Sequence, residues 1–252
     1  MRSILVTGGG RGIGRAIALA FSGAGTLVAI ASRTADQVAA TAREIEARGG
    51  RALGIPMDVA DPGSVAAAFE RISAVTPTLD VLVNNAGIGG GEPIAGSDID
   101  RWHRMLDVNL FGMYLVARQA MPLLSDGARI INMSSVLGRF GVPGYTAYCA
   151  SKHGVIGFTR ALALELAPRR ITVNALCPGW VETDMAVEGM TLGARVLGAT
   201  YEQFRAKALK AVPLKRIIDP GEVARLAVFL ASDDASAITG QAYNICGGQT
   251  MD

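Results

Sequence analysis

The sequence is short of cysteine, histidine, charge and long apolar runs, and each shortage removes a class of explanation. Its three cysteines, Cys149, Cys177 and Cys246, are odd in number and widely spaced, so they suit neither a disulfide framework nor a metal knuckle. The two histidines, His103 and His153, stand far apart, and no metal site is expected. Charged residues make up 18% of the chain, against about a quarter in an ordinary globular domain. The formal net charge is +2, with acids and bases mixed along the chain. No Lys/Arg block offers a nucleic-acid or anionic-membrane footprint. No apolar run reaches the roughly 18 residues that span a bilayer. The first residues, Met1-Arg2-Ser3-Ile4-Leu5-Val6-Thr7, run into glycine at once and do not read as a signal peptide. The expectation is a cytoplasmic protein with no nucleic-acid, membrane or metal partner.

Half of the 252 residues are hydrophobic and 31 are glycine. That length suits one well-packed core and is short for two independent domains. Tight packing with so little charge also leaves room for surface buried between subunits.

Strand and helix patterns alternate to the end of the chain. Apolar runs at 4–7, 27–31, 52–56, 79–83, 129–133, 171–176 and 242–245 read as strands. Helical patterns fall at 15–24, 35–48, 63–75, 101–124, 146–166 and 222–231. The strands are continuous apolar runs, as expected of a parallel sheet covered on both faces. Strands separated by helices imply right-handed βαβ units and a doubly wound α/β architecture. Ligands of such sheets bind beyond the carboxyl ends of the strands. Residues 182–212 interrupt the rhythm with Gly189, Gly193 and Gly198 among helix-forming stretches. An insert of that length at the ligand edge reads as a lid or substrate-binding element.

Thr7-Gly8-Gly9-Gly10-Arg11-Gly12-Ile13-Gly14 follows the first strand and opens the first helix. Glycines let the backbone turn sharply beside a pyrophosphate, and the helix N-terminus supplies free N–H groups. A mere tight turn would also want glycine; the strand before and the helix after favour a dinucleotide. The end of the second strand chooses which one. An acid there holds a ribose 2′-hydroxyl, but this chain has Ala31-Ser32-Arg33. Arg33 can grip a 2′-phosphate bidentately, with Ser32 and Arg11 adding to it. The bland alternative is two solvated arginines.

These motifs resemble the short-chain dehydrogenases/reductases. Thr7-Gly8-x-x-x-Gly12-x-Gly14 is similar to the family's cofactor motif, and Asn84-Asn85-Ala86-Gly87 to its structural NNAG motif. Tyr148-x-x-x-Lys152 is similar to its active-site motif, with Ser135 preceding it and Asn109 at the fourth catalytic position. Pro178-Gly179 and Thr183, with Val181 between them, resemble the turn at the nicotinamide end. Asp58-Val59 resembles the adenine-contacting pair, a plain turn acid being the alternative. Within the family the chain most resembles 3-ketoacyl-carrier-protein reductases and bacterial aromatic polyketide ketoreductases; the 148–159 stretch and the Asn244-Ile245-Cys246-Gly247-Gly248 ending look particularly like the polyketide branch.

The resemblance implies a single-domain doubly wound Rossmann fold, with a seven-stranded mostly parallel sheet flanked by helices. It implies an NADP(H)-dependent carbonyl reductase forming a homotetramer on its long helices. Tyr148 would be the general acid toward the ketone oxygen. Lys152 would lower the phenol's pKa and hold the nicotinamide ribose, Ser135 would steady the oxygen, and Asn109 would hold a relay water. Tyr148 and Lys152 also count as cofactor contacts, with Gly8, Gly12, Ile13, Gly14, Asn85, Ala86 and Gly87. Ser134 is the rival to Ser135. The substrate is read as a small ketone, or a carrier-protein or coenzyme A thioester. For the latter, Arg104, Arg139, Lys207, Lys210, Lys215 and Arg216 are candidate basic contacts. Two other readings stay open, an NAD-linked alcohol dehydrogenase and a non-catalytic dinucleotide sensor.

Overall fold

The computed structural model describes residues 1–251. Among them the strands are β1 Arg2–Thr7, β2 Thr26–Ser32, β3 Arg51–Pro56, β4 Leu79–Asn84, β5 Leu124–Met133, β6 Thr172–Pro178 and β7 Ala242–Ile245. The α-helices are α1 Gly12–Ala20, α2 Ala35–Ala47, α3 Pro62–Ser73, α4 Ile99–Leu106, α5 Gly112–Ala120, α6 Thr146–Leu166, α7 Asp184–Val196, α8 Tyr201–Lys210 and α9 Pro220–Leu230. One sheet holds the seven strands in the order β3-β2-β1-β4-β5-β6-β7. Every pairing is parallel, so the antiparallel edge that a mostly parallel sheet would allow is not there.

The central stretches of β1, β2 and β4 are apolar at successive positions because both faces are covered. Ile4, Val6, Val28, Ile30, Val81 and Val83 pack with α1, α2 and α9 residues on one face. Leu5, Ala29, Ala31, Leu82 and Ile130 pack with α3, α5 and α6 residues on the other. Neighbouring residues point to opposite faces, so a strand between two helical layers cannot alternate apolar with polar. The helix starts are marked by capping chemistry. Asp61 accepts from Gly63 N ahead of Pro62, and Asp219 with Glu222 closes a capping box around Pro220.

Two elements differ from the sequence reading. The pattern at 101–124 is not one helix: α4 begins at Ile99, and a π-helical turn, Asp107–Phe111, links it to α5. His103 lies in the last turn of α4. Asp98 starts that helix by accepting from Asp100 N and Arg101 N. Pro122 follows α5, and the chain is already in β5 by Leu124, not at 129. The early start is a short pairing of Leu124 with Leu79, separated by a register shift from the main ladder that begins at Arg129 and Val81. Ser125-Asp126-Gly127, within that irregular stretch, lacks the apolar run that marked the other strands.

Residues 182–212 fold into α7 and α8. Gly193 lies against the Phe204 ring, where a Cβ would collide, and that lets the two helices close on each other.

Candidate active site

The register of the sheet aligns the strand ends. Thr7 pairs with Ala31, Asn84 with Asn132, Met133 with Leu176, and Pro178 with Ile245. The loops leaving these ends line one cleft of about 580 Å³. Of the residues that the sequence singled out for the site, all line this cleft except Asn109, which is fully buried behind it.

The glycine loop is shaped by what lies behind it. Gly8 and Gly12 have φ of 66° and 55°. A Cβ on Gly14 would run into the Gly8 carbonyl and the Asn85 amide, so α1 sits against the loop only because Gly14 has no side chain. Replacing Gly14 with Ala gains about 1 kcal/mol of helix propensity, but overpacking costs about 1–3 kcal/mol. The collision here is with backbone, which cannot rotate away. The Gly14→Ala variant is expected to unfold at lower temperature and to lose dinucleotide affinity; differential scanning fluorimetry with and without NADPH measures both.

The NNAG residues tie the loop to the next strands. Thr7 Oγ1 accepts from Asn85 N and Ala86 N at 3.0 Å each, and Asn85 Nδ2 donates to Thr7 O at 2.9 Å. Asn84 instead points into the sheet, donating to Asn132 Oδ1 at 3.0 Å.

At the adenosine end, Ser32 Oγ is buried with no hydrogen-bond partner among the described residues. Arg33 is exposed beside it. Arg11 is turned elsewhere: its Nη1 meets Asp184 Oδ2 at 3.2 Å, between two exposed side chains. Its position in the loop also lets it reach a phosphate, and here its side chain extends to the start of α7. Asp58 accepts from Arg104 at 2.7 Å and from Ala60 N. Its carboxyl stays below the usual range because those bonds outweigh burial, the largest single effect, which pushes it up.

The reactive end lies at the start of α6. Tyr148 and Lys152, one turn apart, face the cleft. Ser135 caps a short 3-10 turn, Val136–Gly138, accepting from Leu137 N at 3.1 Å. Ser134 lies behind, donating to the Lys152 carbonyl at 2.8 Å. Lys152 donates to Met133 O at 2.8 Å and stands 5.7 Å from the centre of the Tyr148 ring. Burial pushes the Tyr148 phenol up to about 12, with Ser135 pulling it down. Burial also pulls the Lys152 amine down to about 8. The downward pull on the phenol comes here from Ser135, and burial outweighs it.

Asn109 sits in the π turn. Its Oδ1 accepts from Ile88 N at 2.8 Å, and its Nδ2 donates to Ile88 O at 2.9 Å and faces Ser151 Oγ at 3.2 Å. The side chain ties the π turn to Ile88, just after Gly87. A hydrogen-bonding pattern across distant loops is invisible in sequence.

The cleft also has walls that sequence reasoning missed: Tyr145, Trp180, Phe204 and Gln249. Tyr145 lies three residues before Tyr148 and was detectable by helical spacing. Phe204 and Gln249 come from α8 and the tail, and nothing local marks them. Of the six candidate basic contacts, Arg104 pairs with Asp58 and Arg216 with Glu222. Arg139 bonds Ala242 O and Lys215 bonds Lys210 O. Most of that basic set is therefore already engaged inside the chain. No cluster of metal-ligating side chains exists among the described residues. None of the described helices is long and apolar enough to cross a membrane.

A parallel seven-stranded sheet with a glycine loop and a Ser/Tyr/Lys set at its carboxyl edge defines a dinucleotide-dependent oxidoreductase. Comparison with known proteins gives the family. The family model described as enoyl-(acyl carrier protein) reductase matches residues 8–250. The chain is 42% identical to the monensin polyketide synthase putative ketoacyl reductase of Streptomyces virginiae, over 98% of this chain and 96% of that one. It is 40% identical to the 3-oxoacyl-(acyl-carrier-protein) reductase FabG of Aquifex aeolicus (strain VF5), over 97% and 95%. A crystal structure of a variant actinorhodin polyketide ketoreductase with NADPH superposes with a TM-score of 0.93 at 36% identity, covering 98% of this chain and 97% of that one. The chain belongs to the short-chain dehydrogenase/reductase family.

Proposed function

We propose that this protein reduces a ketone to a secondary alcohol with NADPH, Tyr148 giving the proton. The observation that carries the reading is one cleft holding Ser135, Tyr148 and Lys152 at one end and the glycine cradle with Ser32 and Arg33 at the other. The residues fit NADPH: Gly8 and Gly12 hold positive φ, the buried Ser32 Oγ lacks a partner among the described residues, and no carboxylate stands in Ala31-Ser32-Arg33 to repel a phosphate. Bound there, the cofactor supplies the hydride.

The protein's own groups do the rest. The loop from Gly8 to Gly14, with Asn85, Ala86, Gly87, Asp58 and Val59, holds the dinucleotide; Pro178, Gly179, Val181 and Thr183 hold its nicotinamide end. Ser135 donates to the substrate oxygen and steadies its developing charge. Tyr148, protonated through the neutral range because of its raised pKa, delivers a proton to that oxygen. Lys152 holds the ribose and restores the proton. Asn109 positions the loop after Gly87.

Residues 182–212 form a lid on the single domain, α7 and α8 bringing Met185 and Phe204 to the cleft. The relatives named above are ketoacyl and ketoreductases, which supports a 3-ketoacyl or cyclic polyketide-like ketone, free or as a carrier-protein or coenzyme A thioester. The assembly is a homotetramer in the cytoplasm. Supporting the tetramer, Phe111 and Tyr114 stack at 44% and 43% exposure, Leu164 on α6 is 81% exposed, and β7 is half-buried.

Initial rates with NADPH and NADH against acetoacetyl thioesters and cyclic ketones test the reading. NADPH is expected to be preferred. Arg33→Asp is expected to lower kcat/KM for NADPH about 10- to 100-fold, since an Arg–phosphate bond contributes about 1.5–3 kcal/mol. A wild-type preference for NADH sinks the assignment of Ser32 and Arg33.

A further inference from the structure

One polar group in the cleft has no part in the reaction just described. Gln249 lies in the tail beyond β7 and lines the same cleft as Tyr148 and Gly179. Its Oε1 is buried and accepts no hydrogen bond from the described residues.

The side chain is held there by its backbone. Gly247 and Gly248 have φ of 64° and 88°, a pair of left-handed residues that folds the tail back toward the sheet edge. Leu214 N donates to Gly247 O at 3.0 Å, and Gln249 N to Cys246 O at 3.3 Å. A Cβ on Gly248 would lie 3.0 Å from Pro213, and one on Gly179 would lie 3.1 Å from Gln249 Oε1. The amide therefore sits against the turn that leaves β6, at the opposite end of the cleft from Ser32 and Arg33.

A buried amide oxygen without a partner costs about 1–3 kcal/mol. The wall around the reactive end is otherwise largely apolar or aromatic: Val136, Leu137, Val142, Trp180, Met185 and Phe204. An uncharged acceptor in such a wall does not attract a phosphate or a carboxylate. It fits a neutral ligand carrying a hydroxyl or amide N–H.

We propose that Gln249 is a specificity-determining residue, its amide accepting a hydrogen bond from a hydroxyl or amide N–H on the ketone. The inference rests on the ketone-reductase reading and narrows it: the substrate is a ketone with a polar arm, not a bare hydrocarbon ketone. A site built to bond a substrate hydroxyl discriminates strongly against the analogue that lacks it, because its own polar group is left unpaired.

The test compares kcat/KM at saturating NADPH for 2-tetralone and a set of ring-hydroxylated 2-tetralones. It is made with the wild-type protein, Gln249→Met and Gln249→Ala, each checked for folding by NADPH binding. The wild type is expected to prefer at least one hydroxylated ketone about 10-fold or more, a typical span for one hydrogen bond. Both variants are expected to collapse that ratio. A ratio that does not move in either variant overturns the role of Gln249, leaving the reductase reading intact. So does a rise in the KM for NADPH with the ratio unmoved, which would place the amide on the cofactor. Failure of the wild type to reduce any ketone overturns the reductase reading and this inference with it.

Discussion

Tyr148→Phe lowers kcat for ketone reduction about 1000-fold while the protein still folds and binds NADPH. General acid catalysis by a positioned group contributes about 10²–10⁴-fold, and this substitution removes a single oxygen. The ring keeps its place, edge-on to Tyr145 with 6.5 Å between centroids. No other described group in the cleft combines a proton to give with the right position. Ser135 accepts from Leu137 N, and its hydroxyl is too weak an acid to replace a phenol. The direction of the pKa shift adds a pH signature. The phenol, pushed up to about 12 by burial, stays protonated well above neutrality, so reduction should not depend on its ionisation between pH 6 and about 9. Alcohol oxidation, which needs the phenolate, should rise with pH across the same range. Stopped-flow single-turnover rates in both directions read this. A Phe variant with the wild-type single-turnover rate removes Tyr148 from the mechanism.

Lys152→Met is expected to cost activity and add stability. Lys152 is 4% exposed, and its side-chain amine donates to Met133 O. Burial pulls its amine down from 10.5 to about 8. Below about pH 8 the amine is charged in both folded and unfolded chains, and the folded state bears the full cost of burying it. Between about 8 and 10.5 the unfolded chain holds the extra proton, so stability rises with pH through that window. Methionine fills nearly the same volume without a charge. The variant should therefore be more stable than the wild type at pH 7 by up to about 3 kcal/mol, each pKa unit being worth about 1.36 kcal/mol. The difference should shrink toward pH 10. Reduction should fall about 100-fold or more, because the ammonium that holds the ribose and restores the proton of Tyr148 is gone. Urea unfolding at pH 7 and pH 10 measures the first effect and steady-state kinetics the second. A variant less stable at both pH values contradicts the burial cost assigned to Lys152.

Much of the site was legible because its signals are local. Gly8, Gly12 and Gly14 are demanded by a strand-to-helix turn that spans a few residues. Tyr148 and Lys152 share a helix face by spacing alone. The strands showed themselves as apolar runs because two helical layers bury both of their faces. What stayed hidden depends on partners far along the chain. The break at Asp107–Phe111 comes with Asn109 bonding Ile88, and the helical pattern runs across it without interruption. The pairing of Arg11 with Asp184 joins residues far apart in the sequence. The same holds for Arg104 with Asp58 and Arg216 with Glu222, which take two members out of the basic set that composition suggested.

By itself the sequence determined the layered α/β architecture and the dinucleotide loop, which are set by glycine conformation and by helix and strand periods, all properties of neighbouring residues; Ser135, Tyr148 and Lys152 were picked out by their resemblance to a family motif. Only the tertiary structure decided the protonation balance at Tyr148 and Lys152, the placement of Asn109, and the unpaired amide of Gln249 in the cleft. Those depend on how much water each group loses and on which distant group faces it, and burial is a property of the whole fold.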